Sequence, residues 1–297
     1  MEQATIVLIG FAPLALIAVG LVPSVAANRA PRAMLGVAQI ATLCSFGVML
    51  VSAAVFFATR TEAAWQAPWL GGVGVGATLY YDALSAVIGL LVSFVGVLVI
   101  RYSRHYLDGD PAQGRFVKWL CLTLAAVLTL TISGNLLQFT LAWVASSLCL
   151  HQLLVFYGDR RAARLAARKK FIASRLGDVA LIAAMTLVYQ TFGSLDFRAV
   201  FEAAEAARET SMLPPQVHAI AMFLVVGAML KSAQFPFHGW LTEVMETPTP
   251  VSALLHAGII NAGGFLILRW SDVVSLSIPA LEMLAVVGGF TALFGSV

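Results

Sequence analysis

KSAQFPFHGWLTEVMETPTPVSALLHA (231–257) follows directly on the apolar run HAIAMFLVVGAML (218–230), so a lysine stands at the end of a segment greasy enough to be membrane-embedded. An ammonium at membrane depth costs several kcal/mol even on lenient scales, and chains that keep one use it for ions, protons or a counter-charge. Five residues on, Pro236 removes an amide hydrogen and crowds the carbonyl one turn back, which predicts a break in the helix just after Lys231. Carbonyls freed at membrane depth are tolerated only inside protein or beside a water-lined cavity. Broken helices with charge nearby mark ion sites in transporters.

The rest of the chain supports a membrane setting. Of its 297 residues 60% are hydrophobic and 11% charged, with mean hydropathy +0.89, far from the balance of soluble domains. At roughly 20 residues per span, apolar segments predict helices near 4–26, 33–58, 80–100, 117–133, 136–157, 171–191, 218–231, 250–270 and from 278. The fold class expected is an all-α, polytopic transmembrane helix bundle, divided by texture into 1–78 (two spans and the linker EAAWQAPWLGGVGVGA), 79–116, 117–270 and 271–297. The connection 193–217 is expected to hold a short surface helix, with Phe197, Val200, Phe201 and Ala204 opposite Arg198, Glu202, Glu205 and Arg208.

Fixed positive charge sets the expected orientation. Arg29 and Arg32, then Arg101, Arg104, Arg115 and Lys118, then the run RRAARLAARKK (160–170) follow the first, third and fifth helices. The other side has Arg60, Arg198, Arg208 and Arg269. The positive-inside rule puts the basic side in the cytoplasm and the N-terminus outside, with the basic run read as a topology anchor. Net charge +3 reflects this asymmetry and no nucleic-acid partner is expected. Cys44, Cys121 and Cys149 lie in apolar segments without paired spacing and read as small core residues.

Polar residues inside the helices are the candidates for chemistry. Arg175 and Asp178 share a helical face at i, i+3 and are either a self-neutralising pair or part of a proton relay. His256 lies deep, and imidazole exchanges protons near neutrality; His151 is nearer a helix end. His238, Glu243 and Glu246 flank the break and have facing water as their simpler explanation, and Asp82 reads as a helix N-cap. Counting 1.5 Å per residue puts His151, Asp178 and His256 roughly 9–11 Å inside the cytoplasmic face, with Lys231 at a similar level. One polar cluster is therefore expected in that half of the membrane.

DALS (82–85), RLGD (175–178), KSAQFPFHGWL (231–241) and TPVSALLHA (249–257) resemble the antiporter-type subunits of respiratory complex I, its L subunit above all, and of multi-subunit cation/proton antiporters. The resemblance implies the antiporter-like fold, with Lys231 as the essential lysine on a broken helix, and His256 and Asp178 at the family's histidine and aspartate positions. Where the family has a glutamate after the tryptophan of its fifth helix, the chain reads LAWVASS, with Val144 in that place. Asp178, helped by His151, is expected to replace this missing partner of Lys231.

That departure, with NLLQFTLAWVASSLCLHQLLVFY, ARKKFI and HAGIINAGGFLILR, is similar to the membrane subunit of DAB-type inorganic carbon accumulation complexes. This branch implies a cation-translocating subunit, carrying protons or sodium ions, that energises CO₂ hydration to bicarbonate in a bacterial inner-membrane complex. The implied partner is a large cytoplasmic, zinc-containing subunit related to β-carbonic anhydrases, which would hold both the zinc and the catalysis. No cofactor is expected in this chain, and no quinone, flavin, iron–sulfur or nucleotide motif is visible in it. A proton-pumping L-like subunit of an NADH:quinone oxidoreductase or an antiporter subunit, and a purely structural membrane anchor, are the alternatives. The family carries a second inverted repeat, so the resemblance implies a fragment or a truncated subunit with one repeat.

Overall fold

The computed structural model describes residues 2–67, 74–210, 212–243 and 247–296. Its first two helices are α1 (Glu2–Gly20) and α2 (Ser24–Arg29), so the first expected helix stops before Pro23 and a separate turn of helix follows. The long α3 (Pro31–Thr59) opens on a proline, whose fixed φ suits a first helical turn. Arg60, at φ 55°, ends it in the left-handed conformation.

Strands β1 (Ala63–Gln66) and β2 (Thr78–Tyr81) then pair antiparallel, Ala63 opposite Tyr81. The linker is thus partly a small β-ribbon, and β2 runs across the 78/79 boundary expected from texture. Tyr80 and Tyr81, expected in the third helix, belong to this ribbon. Its ladder satisfies backbone groups that an irregular linker would leave open. The Tyr80 hydroxyl donates to Glu62 Oε2 at 2.7 Å, and burial followed by that carboxylate pushes the phenol's pKa up.

α4 (Ala83–Tyr106), α5 (Gln113–Thr131), α6 (Leu136–Leu154) and α7 (Arg161–Phe192) follow as long helices. Asn135 caps α6, accepting from Gln138 N at 2.6 Å, and Gly193, at φ 68°, closes α7. The basic run expected to be a loop forms the first turns of α7 instead. Its alanines explain this: Ala163, Ala166 and Ala167 make a buried stripe at helical spacing, while Arg161, Arg164 and Arg168 point outward.

α8 (Phe197–Thr210) is the amphipathic connecting helix, with Phe197, Val200 and Ala204 buried. α9 (Val217–Lys231), the single turn α10 (Gly239–Thr242), α11 (Thr249–Leu254), α12 (Asn261–Arg269), α13 (Ser271–Val274) and α14 (Ile278–Gly295) complete the chain. A π-helical segment, Leu255–Ile259, joins α11 to α12. Among the described residues, seven helices are long and apolar enough to cross a membrane, counting Thr249–Arg269 as one. Ile6–Gly20 and Val217–Lys231 are shorter apolar helices.

Two apolar clusters form the interior. One joins α1, α3, α4 and α5 through residues such as Ile9, Met49, Val92 and Leu124. The other gathers Phe139, Trp143, Phe197, Leu224, Phe265 and Trp270 from α6, α8, α9 and α12. Large apolar side chains such as Leu14, Ile40, Leu141, Val179 and Val286 are exposed, as helices facing lipid require. Cys121 is buried, but Cys44 is exposed, a correction to its reading as a core residue.

Candidate functional site

Lys231 is the last residue of α9 and is 4% exposed. Its Nζ donates to the Trp143 carbonyl and to Ser146 Oγ, both at 3.1 Å, and lies 4.4 Å from the centre of the Trp143 ring. The negative face of an indole favours an ammonium, more so when water is excluded. Ser146 in turn donates to the Trp143 carbonyl at 2.8 Å. Lys231 therefore reaches the turn of α6 that carries Val144, and finds a carbonyl, a hydroxyl and a π face there in place of a carboxylate.

α7 supplies the acid. Asp178 is 5% exposed, and its Oδ2 lies 2.7 Å from Arg175 Nη2. Lys231 and Lys170 both act on Asp178 electrostatically, but neither has a carboxylate within 4 Å among the described residues. Asp178 is thus a shared counter-charge whose direct partner is Arg175. The Arg175 guanidinium also lies over the Phe171 ring at 5.1 Å.

Lys170 is the residue that sequence reasoning missed. Assigned there to a topology anchor, it is 1% exposed, and its Nζ donates to the Ser147 carbonyl and to Ser147 Oγ, both at 2.9 Å. The signal was available: Lys170, Ser174 and Asp178 follow at intervals of four, on the buried stripe begun by Ala163, Ala166 and Ala167. His151 belongs to this end of the site. Its ring packs on Phe171 at 5.1 Å, within electrostatic range of Lys170 and Arg175.

The break after Lys231 has a defined construction. Ala233 takes a left-handed φ of 52°, the Phe235–Pro236 peptide is cis, and Gln234 N donates to the Met229 carbonyl at 3.0 Å, recovering one carbonyl that the break would strand. Ser232 Oγ donates to the Ile260 carbonyl at 2.6 Å. Ile260 ends the π-helical segment, whose wider turn is closed by Ile260 N on Leu255 O at 3.0 Å. Two irregular helix segments are therefore tied to each other. Gly263 makes the approach possible, since a Cβ there would lie 2.2 Å from Ser232 Oγ and 2.5 Å from the Ala228 carbonyl. A cavity of about 320 Å³ opens beside this junction, bordered by Ser232, Gln234, Gly263 and Leu284.

The structure does not bring His256 into the cluster. It stands on the π-helical segment with its side chain exposed. Depth counted by helical rise does not fix which face of the helix a side chain takes, and His256 takes an exposed one. His238 is half-buried between Phe235 and Phe294, with ring centres 5.5 and 4.8 Å away, and so does not simply face water. Glu243 pairs with Lys169, both substantially exposed, and Glu246 lies outside the described residues.

A second buried charge lies away from this cluster. Asp82 caps α4, its Oδ1 accepting from Ser85 N at 2.8 Å, and also receives both terminal nitrogens of Arg269 from α12. Arg269 counts on sequence only as a charge on the outer side, but it is 4% exposed and donates to Ser85 Oγ at 2.7 Å as well.

Residues 133–297 match a family model described as NADH:quinone oxidoreductase/Mrp antiporter, TM. The chain belongs to this antiporter-like membrane family. Residues 66–117 also match the model for the N-terminus of complex I chain 5. A probable inorganic carbon transporter subunit DabB2 of Halothiobacillus neapolitanus is 42% identical over 263 residues, covering 87% of this chain and 47% of that protein. Subunit DabB of Hydrogenovibrio crunogenus is 38% identical, covering 86% and 47%, and NADH-quinone oxidoreductase subunit L of Mycobacterium tuberculosis is 37% identical, covering 76% and 35%. The chain thus spans about half the length, or less, of these relatives. The Mrp complex from Dietzia sp. DQ12-45-1b contains a similar fold, with TM-score 0.79 at 24% identity over 93% of this chain and 29% of that one. The antiporter-like helical bundle expected from sequence is therefore the fold of this family member.

Proposed function

We propose that this chain is the proton-translocating, energy-coupling membrane part of an inorganic carbon uptake complex, and that it performs no catalysis itself. The observation that carries this reading is its likeness, across 87% of its length, to a protein named as an inorganic carbon transporter subunit. Val144 agrees with it, because a complex I-like subunit is expected to have an acid there and this chain leaves Lys231 on serine and carbonyl oxygens. In this reading the basic ends of α2, α4 and α7 face the cytoplasm of a bacterial inner membrane.

The partner is a large cytoplasmic subunit related to β-carbonic anhydrases, which holds zinc and hydrates CO₂ there. What this chain contributes is a site whose charge changes as a proton passes. Buried Lys231 and Asp178, with half-buried Arg175 on the aspartate, lie in one cluster at the end of a broken helix, so a proton gained or lost there alters the force on the junction at Ser232 and Ile260. Coupling requires the two states of the complex to hold that proton unequally.

Similarity to subunit L favours one other reading, a proton-pumping component of an NADH:quinone oxidoreductase or cation antiporter. Co-purification from the native membrane followed by metal and cofactor analysis separates the two. A zinc-bearing partner without flavin or iron–sulfur clusters is the expected result, and a redox arm overturns it. Lys231→Ala is expected to abolish bicarbonate accumulation in an assembled complex; unchanged accumulation would reduce the chain to an anchor.

A further inference from the structure

The site described above contains one more cation than its expected chemistry uses. Among the described residues, Lys170, Arg175 and Lys231 are all within electrostatic range of one carboxylate, Asp178, which Arg175 touches directly, and at interior dielectric such an excess of like charge is strongly unfavourable. The hydrogen bonds of the two lysines bear on how the excess is relieved. An ammonium carries three N–H donors and no acceptor. Each lysine is given two acceptors: the Trp143 carbonyl and Ser146 Oγ for Lys231, the Ser147 carbonyl and Ser147 Oγ for Lys170. Two acceptors saturate an amine and leave its lone pair free; the third N–H of an ammonium would meet the Trp143 ring at Lys231, whereas at Lys170 the described residues offer it no protein acceptor.

Resting on the transport reading, we propose that Lys170 and Lys231 are a single proton-exchanging pair arranged along the Ser146–Ser147 edge of α6, with Asp178 as their common counter-charge. In one transfer an N–H bond of the charged lysine breaks and a new one forms on the lone pair of the other. The proton crosses by way of the serine hydroxyls and water, nothing is oxidised or reduced, and the charge on the pair is unchanged. His151 stands beyond Lys170 on the same helix as the serines, with Cys149 also within electrostatic range of Lys170. Lys170 therefore extends the path from the broken helix toward the α6 C-terminus, along the stretch where the family's acidic residue is missing.

The test uses the native complex reconstituted in vesicles, with proton movement read by an entrapped pH-sensitive dye and assembly checked by co-purification. Lys170→Met should lower flux about a hundredfold, the scale of losing a proton-transfer group. Lys170→Arg should do the same, because a guanidinium keeps the charge but does not release its proton. Normal flux in either variant overturns the pair, and Lys231→Met distinguishes this from a failure of the transport reading: it stays inactive if only the pair is wrong, and conducts normally if the reading itself is wrong. Should the variants not assemble, nitrogen NMR of lysine-labelled native complex decides. A buried amine-type Nζ resonance supports the pair, and ammonium resonances alone across the working pH range overturn it.

Discussion

Arg269 and Asp82, 187 residues apart in the chain, meet in a two-pronged ion pair: Nη1 to Oδ2 at 2.8 Å and Nη2 to Oδ1 at 3.0 Å. The pair fastens the end of α12 to the start of α4, with Tyr80 and Phe265 rings on the guanidinium at 5.0 and 5.1 Å. Asp82→Asn keeps a capping oxygen for Ser85 N but leaves a buried guanidinium without its counter-charge. Breaking a buried pair costs about 3–5 kcal/mol, and the lower end applies because Asp82 is partly exposed. Thermal unfolding of the purified complex should show this loss, and Asp82→Ala should cost about 1 kcal/mol more by removing the cap. A Tm unchanged in both variants would show that the pair does not hold the two helices.

Asp178→Asn preserves shape and removes the carboxylate that Lys170, Arg175 and Lys231 share. Proton flux in vesicles should drop about a hundredfold while the complex still co-purifies. Full transport by the variant would remove Asp178 from the pathway.

The junction of the two irregular segments can be strained without touching a charge. Gly263→Ala drives a methyl group into Ser232 Oγ and the Ala228 carbonyl, and overpacking of this kind costs about 1–3 kcal/mol. Ser232→Ala only removes the 2.6 Å hydrogen bond to Ile260, costing about 1 kcal/mol. Flux and unfolding measured together should rank Gly263→Ala as the more damaging. The double variant should recover little, since the Ala228 carbonyl remains in the way.

Adjacent lysines are expected to differ sharply. Lys169 pairs with Glu243 at the surface, where such pairs contribute at most about 1 kcal/mol. Lys169→Ala should therefore leave flux and unfolding nearly unchanged. A large loss of flux would extend the pathway to the surface pair.

Much of the fold was legible because lipid demands long apolar runs, and each span left one in the sequence. Pro236 likewise announced the broken helix, through chemistry local to a few residues. The linker ribbon was not legible, because β1 and β2 are four residues each and their pairing depends on segments twelve residues apart. Lys170 was misplaced for a related reason. Counting basic residues in a loop ignores helical phase, and once α7 begins at Arg161, phase alone separates the exposed Lys169 from the buried Lys170. His256 departs from expectation in the opposite direction, since depth counted along a helix does not say which face carries the side chain, and His256 is exposed.

The sequence by itself determined that this is a membrane-embedded helical bundle with a lysine at a helix break and no acid at position 144. These follow from hydropathy, proline chemistry and residue identity, which do not depend on distant contacts. Only the tertiary structure decided what faces Lys231: the Trp143 carbonyl and Ser146 from α6, with Asp178 shared from α7 and Lys170 beside them. The physical reason is that counter-charge is settled by a few ångströms between helices, and those separations are fixed by how α6, α7 and α9 pack.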